Sequence, residues 1–207
     1  MHRFSITVGI ALVAVLACPS VQAACDGYAQ ELAARVGADQ ALRKRLDFDN
    51  ADSPAQKKLQ ENIVIVDRAN TARLKVLIAQ CGWPDEDKVG DKAVHHAWLL
   101  TQHADLDVAF QKHALDLIEK EAARRGEPLG SNFAYLYDRV ATSEQRPQRY
   151  GTQFMMPVGD PCNVEFFPLD DREKVEARRA AIGMPPLADY LEQMRETSSC
   201  TLAKPAT

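Results

Sequence analysis

One stretch limits the fold of this chain more than any other. Ser53-Pro54-Ala55-Gln56 begins, and Cys81-Gly82-Trp83-Pro84 ends, what reads as a single uninterrupted helix. Serine as cap, proline at the first helical position and glutamine three residues after the cap form a strong start. Glycine followed by proline is the usual stop. Between them Leu59, Ile63, Val66, Leu74 and Leu77 recur close to helical spacing. The result is a helix of about 28 residues, roughly 42 Å long. A rod of that length spans a whole domain, so the rest of the chain has to pack along it.

The flanking pattern is also helical. Asp26 can cap a helix through Arg35 that stops at Gly37, and Asp39 can cap a second through Leu46, before a polar loop over 47–52. After a loop from Trp83 to Gly90, Asp91 opens a helix carrying Ala93, Val94, Ala97, Trp98 and Leu100. Asp105 or Asp107 restarts another, with Phe110, Ala114, Leu117 and Ile118 on one stripe and Gly126 ending it. Asn132 caps a short helix from Phe133 to Val140. Tyr150 to Met155 and Asn163 to Leu169 are richer in β-formers and predict a hairpin around Pro157 to Pro161. Asp170 or Asp171 caps a charged helix ending at Gly183, and Pro186 starts a last one through Met194. The expected fold is mainly α, a single helical domain with a small β-hairpin near residues 150–169. It divides into a leader at 1–23, N-terminal helices ending in the long one at 24–81, a helical domain with the hairpin at 82–195, and a tail at 196–207. No internal repeat is present.

The leader reads as an export signal. His2 and Arg3 are followed by an apolar run from Phe4 to Ala17, and Val21-Gln22-Ala23 is an A-x-A-like cleavage site. The run is about 14 residues, too short for a membrane-spanning helix. A rival reading is a lipobox at Val15-Leu16-Ala17-Cys18, which would anchor the protein through Cys18. Leu16 fits that pattern poorly. The expected location is the periplasm or the exterior, with lipid anchoring in the envelope as the alternative. Cleavage after Ala23 removes one cation, Arg3, and no acid, so the formal net charge of -4 becomes -5. An acidic balance argues against nucleic acid as a partner, because phosphate binding wants a basic field.

Four cysteines remain after cleavage: Cys25, Cys81, Cys162 and Cys200. In an oxidising compartment an even number suggests two disulfides, with three connectivities open. Nearest-neighbour pairing, Cys25–Cys81 and Cys162–Cys200, would staple each end, each loop contributing roughly 4 kcal/mol in the chain-entropy model. No C-x-x-C pair supports a cysteine metal site.

The chemistry-bearing residues concentrate in two segments. Gln102-His103-Ala104-Asp105 ends an apolar helical run, and Gln148-Arg149-Tyr150-Gly151-Thr152-Gln153 is a dense polar segment with a permissive glycine. A carboxylate beside a histidine fixes its tautomer, as a general base requires. The same residues would also serve as a satisfied polar network capping two helix ends. His95, His96, His103 and His113 cluster along the chain, yet no H-E-x-x-H occurs, and adjacent His95 and His96 point to different sides of a helix. A ligand set of His96, His103 and Asp107 is the remaining metal arrangement, and a surface histidine patch is favoured over it. Asp138 and Arg139, adjacent on a helix, each need a partner elsewhere, and Arg139 suits a bidentate anion clamp. Arg172, Lys174, Arg178 and Arg179 interleave with Glu173 and Glu176, the pattern of a solvated, salt-bridged face. No G-x-S-x-G, G-x-G-x-x-G or P-loop is present, so the chain specifies no serine elbow and no nucleotide cofactor.

Taken in order, Gly82-Trp83-Pro84, Ala97-Trp98-Leu99-Leu100-x-Gln102-His103-Ala104-Asp105, Gln111, Ala134-Tyr135-Leu136-x-Asp138-Arg139, Gln148-x-Tyr150-Gly151-Thr152-Gln153 and Arg178-Arg179-x-x-x-Gly183 resemble a bacterial family of domains of unknown function. The resemblance covers Gly82 to Tyr190 and leaves the preceding residues outside it. It implies that the two polar segments belong to one domain, and it carries no activity with it. The expected composite site has His103 as acid/base, Asp105 or Asp138 orienting it, Arg139 receiving an anionic group, and Gln102, Gln148, Tyr150, Thr152, Gln153 and Arg179 binding. The substrate class would be small and anionic or polar, with hydrolysis the generic reaction. The alternative is a non-catalytic module that binds a small polar ligand or an envelope protein.

Overall fold

The computed structural model describes residues 25–47, 50–156 and 163–197. The leader, Cys18, Cys162, Cys200 and the pairing of the last two lie outside the described residues. Among those described, the elements run α1 Tyr28–Arg43, α2 Pro54–Cys81, α3 Glu86–Val89, α4 Asp91–Gln102, α5 Val108–Arg125, α6 Ser131–Ser143, β1 Phe154–Met155, β2 Glu165–Phe166, α7 Arg172–Ala181 and α8 Leu187–Thr197. The fold is mainly α with a small antiparallel hairpin.

The long helix forms where its local signals place it. Ser53 Oγ accepts from the Gln56 amide at 3.3 Å, and Gly82 ends the helix at φ 79°. Side-chain caps also set α5, where Asp107 accepts from the Phe110 amide at 3.0 Å, and α7, where Asp171 accepts from the Lys174 amide at 3.1 Å. Cys25 and Cys81 are disulfide-bonded with Cα atoms 5.7 Å apart, tying the start of α1 to the end of α2.

Several local expectations give way to longer-range packing. The two short helices expected before residue 47 are one helix, α1, that runs through Gly37 after Gly27 instead of Asp26 at its start. Glycine inside a helix costs about 1 kcal/mol. The buried stripe Tyr28, Leu32, Val36, Asp39 continues across it and outweighs that penalty. Residues 86–89 of the expected loop form the single turn α3, capped by Asp85. Asn132 is not the cap of α6; that helix begins at Ser131 after Gly130 and extends to Ser143. The hairpin strands hold only two residues each, with Phe154 opposite Phe166. Tyr150 to Thr152 do not extend β1, because the Tyr150 and Thr152 amides are bonded to Asp138 instead of to a neighbouring strand.

Two apolar clusters share α5. One joins Leu32 and Val36 of α1 and Leu74 and Leu77 of α2 to Ala97 and Leu100 of α4 and Phe110 of α5. Residues before and after Gly82 therefore share one core. The other joins Ala114 and Leu115 of α5 to Phe133, Leu136 and Val140 of α6, with Tyr150 and Met184. Trp83 packs against both.

Candidate functional site

His103 is the residue that ends α4. Its Nδ1 lies 3.0 Å from Asp39 Oδ2. The approach is close, but Nδ1 makes no well-aligned hydrogen bond there. Asp39 is 1% exposed and is further held by Gln40 Nε2 at 2.8 Å and Arg43 Nε at 3.0 Å. Arg43 also donates to Asp67 at 2.6 Å, so one guanidinium from α1 spans two carboxylates from two helices. The carboxylate paired with His103 is thus Asp39, where Asp105 or Asp138 was expected. His103 also lines a cavity. That cavity is about 520 Å³ and lies between α2 and the α4–α5 turn.

Burial alone would raise the Asp39 carboxyl. His103, Gln40 and Arg43 outweigh it and hold the group at about 2 instead of 3.8. A carboxylate whose folded-state value is depressed stabilises the fold above its unfolded value near 4, and that contribution is lost as pH falls toward 2. We expect the urea-unfolding free energy of the wild type to drop between pH 5 and pH 2 by on the order of 2 kcal/mol more than that of Asp39→Asn. Equal drops in the two proteins would contradict this account of Asp39.

Beside His103 lies a set of groups bonded to one another, with Gln102 Nε2 and Gln111 Oε1 left unpaired. Arg139 Nη1 meets both Asp105 oxygens at 2.9 and 3.1 Å, and its Nε donates to Gln102 Oε1 at 2.7 Å. Gln111, fully buried, donates to the Thr101 carbonyl at 3.1 Å. Arg139, expected to receive a ligand anion, here pairs with a carboxylate of the protein itself.

The remaining expected site residues form a second assembly. Asp138, fully buried, accepts from the amides of Arg149 (2.8 Å), Tyr150 (3.2 Å) and Thr152 (3.0 Å) and from the Thr152 hydroxyl (3.1 Å). Burial pushes its carboxyl upward against the pull of these donors. Arg179, also fully buried, grips the same segment from its carbonyl side, at Tyr150 O (2.6 Å) and Gly151 O (3.2 Å), and donates to Pro185 O at 2.6 Å. This corrects the reading of its helix as a solvated face at that position. Gly151 is at φ 63°, and a Cβ there would fall 2.5 Å from Leu187 Cδ2, so the close approach needs glycine. Gln148 closes the segment on itself, accepting from the Gln153 amide at 2.7 Å and donating to the Gln153 carbonyl at 2.9 Å. The cavity wall includes His103 and Asp105 but not Gln148, Tyr150, Thr152, Gln153 or Arg179. Adjacent positions on α6 point about 100° apart, which is how Asp138 serves one assembly and Arg139 the other.

Asp39, Arg43 and Asp67 were not singled out from the sequence. The signal was there: Asp39 continues the stripe Tyr28, Leu32, Val36, and Asp67 falls between Ile63 and Leu74 on α2. A carboxylate on an apolar stripe needs a buried partner. Asp39, Asp67 and His103 offer ligand atoms within 4.8 Å of one another. Among the described residues that is the one such group, and it includes neither His96 nor Asp107. Arg43 bridges its two carboxylates, donating to Asp39 Oδ1 and Asp67 Oδ1.

A helical domain with a buried carboxylate beside a part-buried imidazole at the wall of an open cavity is the class these observations define. The chain belongs to a family of unknown function, DUF6624, whose model matches residues 26–201. The match begins well before Gly82 and takes in α1 and α2, and with them Asp39 and Asp67. No curated protein and no solved structure matches the chain. Among the described residues no helix is long and apolar enough to cross a membrane. The Cys25–Cys81 disulfide is compatible with an extracytoplasmic location.

Proposed function

We propose that this is an exported protein with a hydrolase-like acid–base site for a small anionic or polar substrate, centred on His103. The observation that carries the reading is the 3.0 Å contact between His103 and buried Asp39 at the wall of an open cavity. In this reading His103 Nε2 takes a proton from a water whose oxygen attacks the substrate's electrophilic centre. Asp39 stabilises the imidazolium so formed. The proton then passes to the leaving group as its bond breaks, and the imidazole returns to neutral. Asp39 is a positioning residue, and Arg43 keeps it ionised and fixed.

The test compares wild type, His103→Ala and Asp39→Asn on a panel of chromogenic esters, phosphate esters and amides. His103→Ala is expected to stay folded and to lose turnover by about 10²–10⁴-fold. Asp39→Asn is expected to lower turnover and to shift the pH–rate profile, which a purely structural carboxylate would leave in place. Turnover unaffected by His103→Ala overturns the proposal. Ligand-dependent stabilisation without any turnover identifies a binding module in place of an enzyme.

A further inference from the structure

The charges around the His103 cavity are not evenly matched. Three acids line it, and each is already engaged: Asp67 by Arg43 at 2.6 Å, Asp105 by Arg139 at 2.9 Å and Asp107 by Lys75 at 2.8 Å. Arg68 lines the same cavity from α2 and is exposed, with no hydrogen bond or ion pair among the described residues. A guanidinium beside a cavity whose acids are neutralised by other cations is a receiver for an anion from outside. The cavity has an apolar part as well. Val64, one turn before Arg68 on α2, is 40% exposed, and Leu106 of the facing α4–α5 turn is 65% exposed. Large aliphatic side chains left open on both sides of a cavity want an apolar partner.

We infer that the ligand of this cavity is a small organic anion with an apolar body, its carboxylate or phosphate on Arg68 and its hydrocarbon part between Val64 and Leu106. This rests on the cavity of the preceding reading and supplies the substrate class that reading leaves open. It assigns to Arg68 the anion-receiving role expected of Arg139. The geometry accounts for specificity in two parts. The guanidinium selects charge, in the forked fashion that suits carboxylate and phosphate, and the aliphatic walls reward a body that inorganic anions lack.

The assignment is tested by calorimetric binding, independently of turnover, with hexanoate, phenyl phosphate, inorganic phosphate and the uncharged hexanamide as probes. Hexanoate or phenyl phosphate should bind more tightly than both inorganic phosphate and hexanamide by about 10-fold or more, and whichever of the two binds tighter identifies the anionic group. Arg68→Gln, an exposed change expected to leave the melting temperature in place, should weaken that binding by about 10–100-fold. Leu106→Ser should weaken the organic anion but not inorganic phosphate. His103→Ala should keep the organic anion within a few-fold. Arg68-dependent binding with no turnover leaves this inference standing and removes only the catalytic reading. Turnover dependent on His103, with probe binding indifferent to Arg68→Gln, overturns the inference alone. Equal binding of hexanoate and hexanamide also overturns it.

Discussion

Asp138→Ala is expected to lose about 3–5 kcal/mol of folding stability. The carboxylate is fully buried and meets the amides of Arg149, Tyr150 and Thr152 together with the Thr152 hydroxyl. Truncation leaves these donors without partners in a site that water does not reach. Asp138→Asn should lose less, about 2 kcal/mol, since its one remaining oxygen still accepts while its amide group faces other N–H donors. Equilibrium urea unfolding at neutral pH reads both values. A loss under about 1 kcal/mol for the alanine variant would show that the loop is held by something else. The result also separates the two roles this residue can have. A catalytic acid can be removed with the fold intact, whereas a carboxylate that organises a four-residue loop cannot.

That division runs through the whole site. The residues richest in hydrogen bonds, Gln148 to Gln153 with Asp138 and Arg179, face one another and hold a connection between α6 and the hairpin. His103, part-buried, and Arg68, exposed, have fewer contacts and line a cavity. Density of polar side chains in a sequence marks where backbone must be satisfied as readily as where chemistry occurs. For this chain the denser of the two polar segments spends its groups on its own backbone.

What was legible in the sequence is what short-range physics decides. Ser53, Asp107 and Asp171 cap helices because each reaches an amide three residues on, and that chemistry is written locally. The Cys25–Cys81 pairing was legible because the long helix placed Cys81 at its last turn. The candidate site was half legible: His103 stands out beside Gln102 and Asp105, but its partner does not. Asp39 looked like a helix cap after Gly37, because the glycine hid that the stripe Tyr28, Leu32, Val36 runs on through it and buries Asp39. The shortness of β1 was equally hidden. Tyr150 and Thr152 have strand-like composition, and only a carboxylate 12 to 14 residues earlier diverts their amides.

Arg179→Ala is expected to lose about 3–5 kcal/mol, for a reason complementary to that of Asp138. The guanidinium is fully buried, donates to Tyr150 O, Gly151 O and Pro185 O, and lies 5.0 Å from the centre of the Tyr190 ring. Removing it strands three carbonyls and leaves a void beneath an aromatic ring. Arg179→Lys keeps the charge and most of the stem, but a single ammonium cannot reproduce a fork that reaches Pro185 and Tyr150 at once. It should recover no more than about half of the loss. The sharper measurement is the double variant Asp138→Ala/Arg179→Ala in a thermodynamic cycle. Asp138 holds the Tyr150–Thr152 peptides by their N–H groups and Arg179 holds them by their carbonyls, so once either grip is gone the loop can move and the other has less to hold. The double variant should therefore be less destabilised than the sum of the singles by on the order of 1–3 kcal/mol. Single losses that add to within about 0.5 kcal/mol would mean two independent anchors, and the picture of one loop clamped between opposite buried charges would fall.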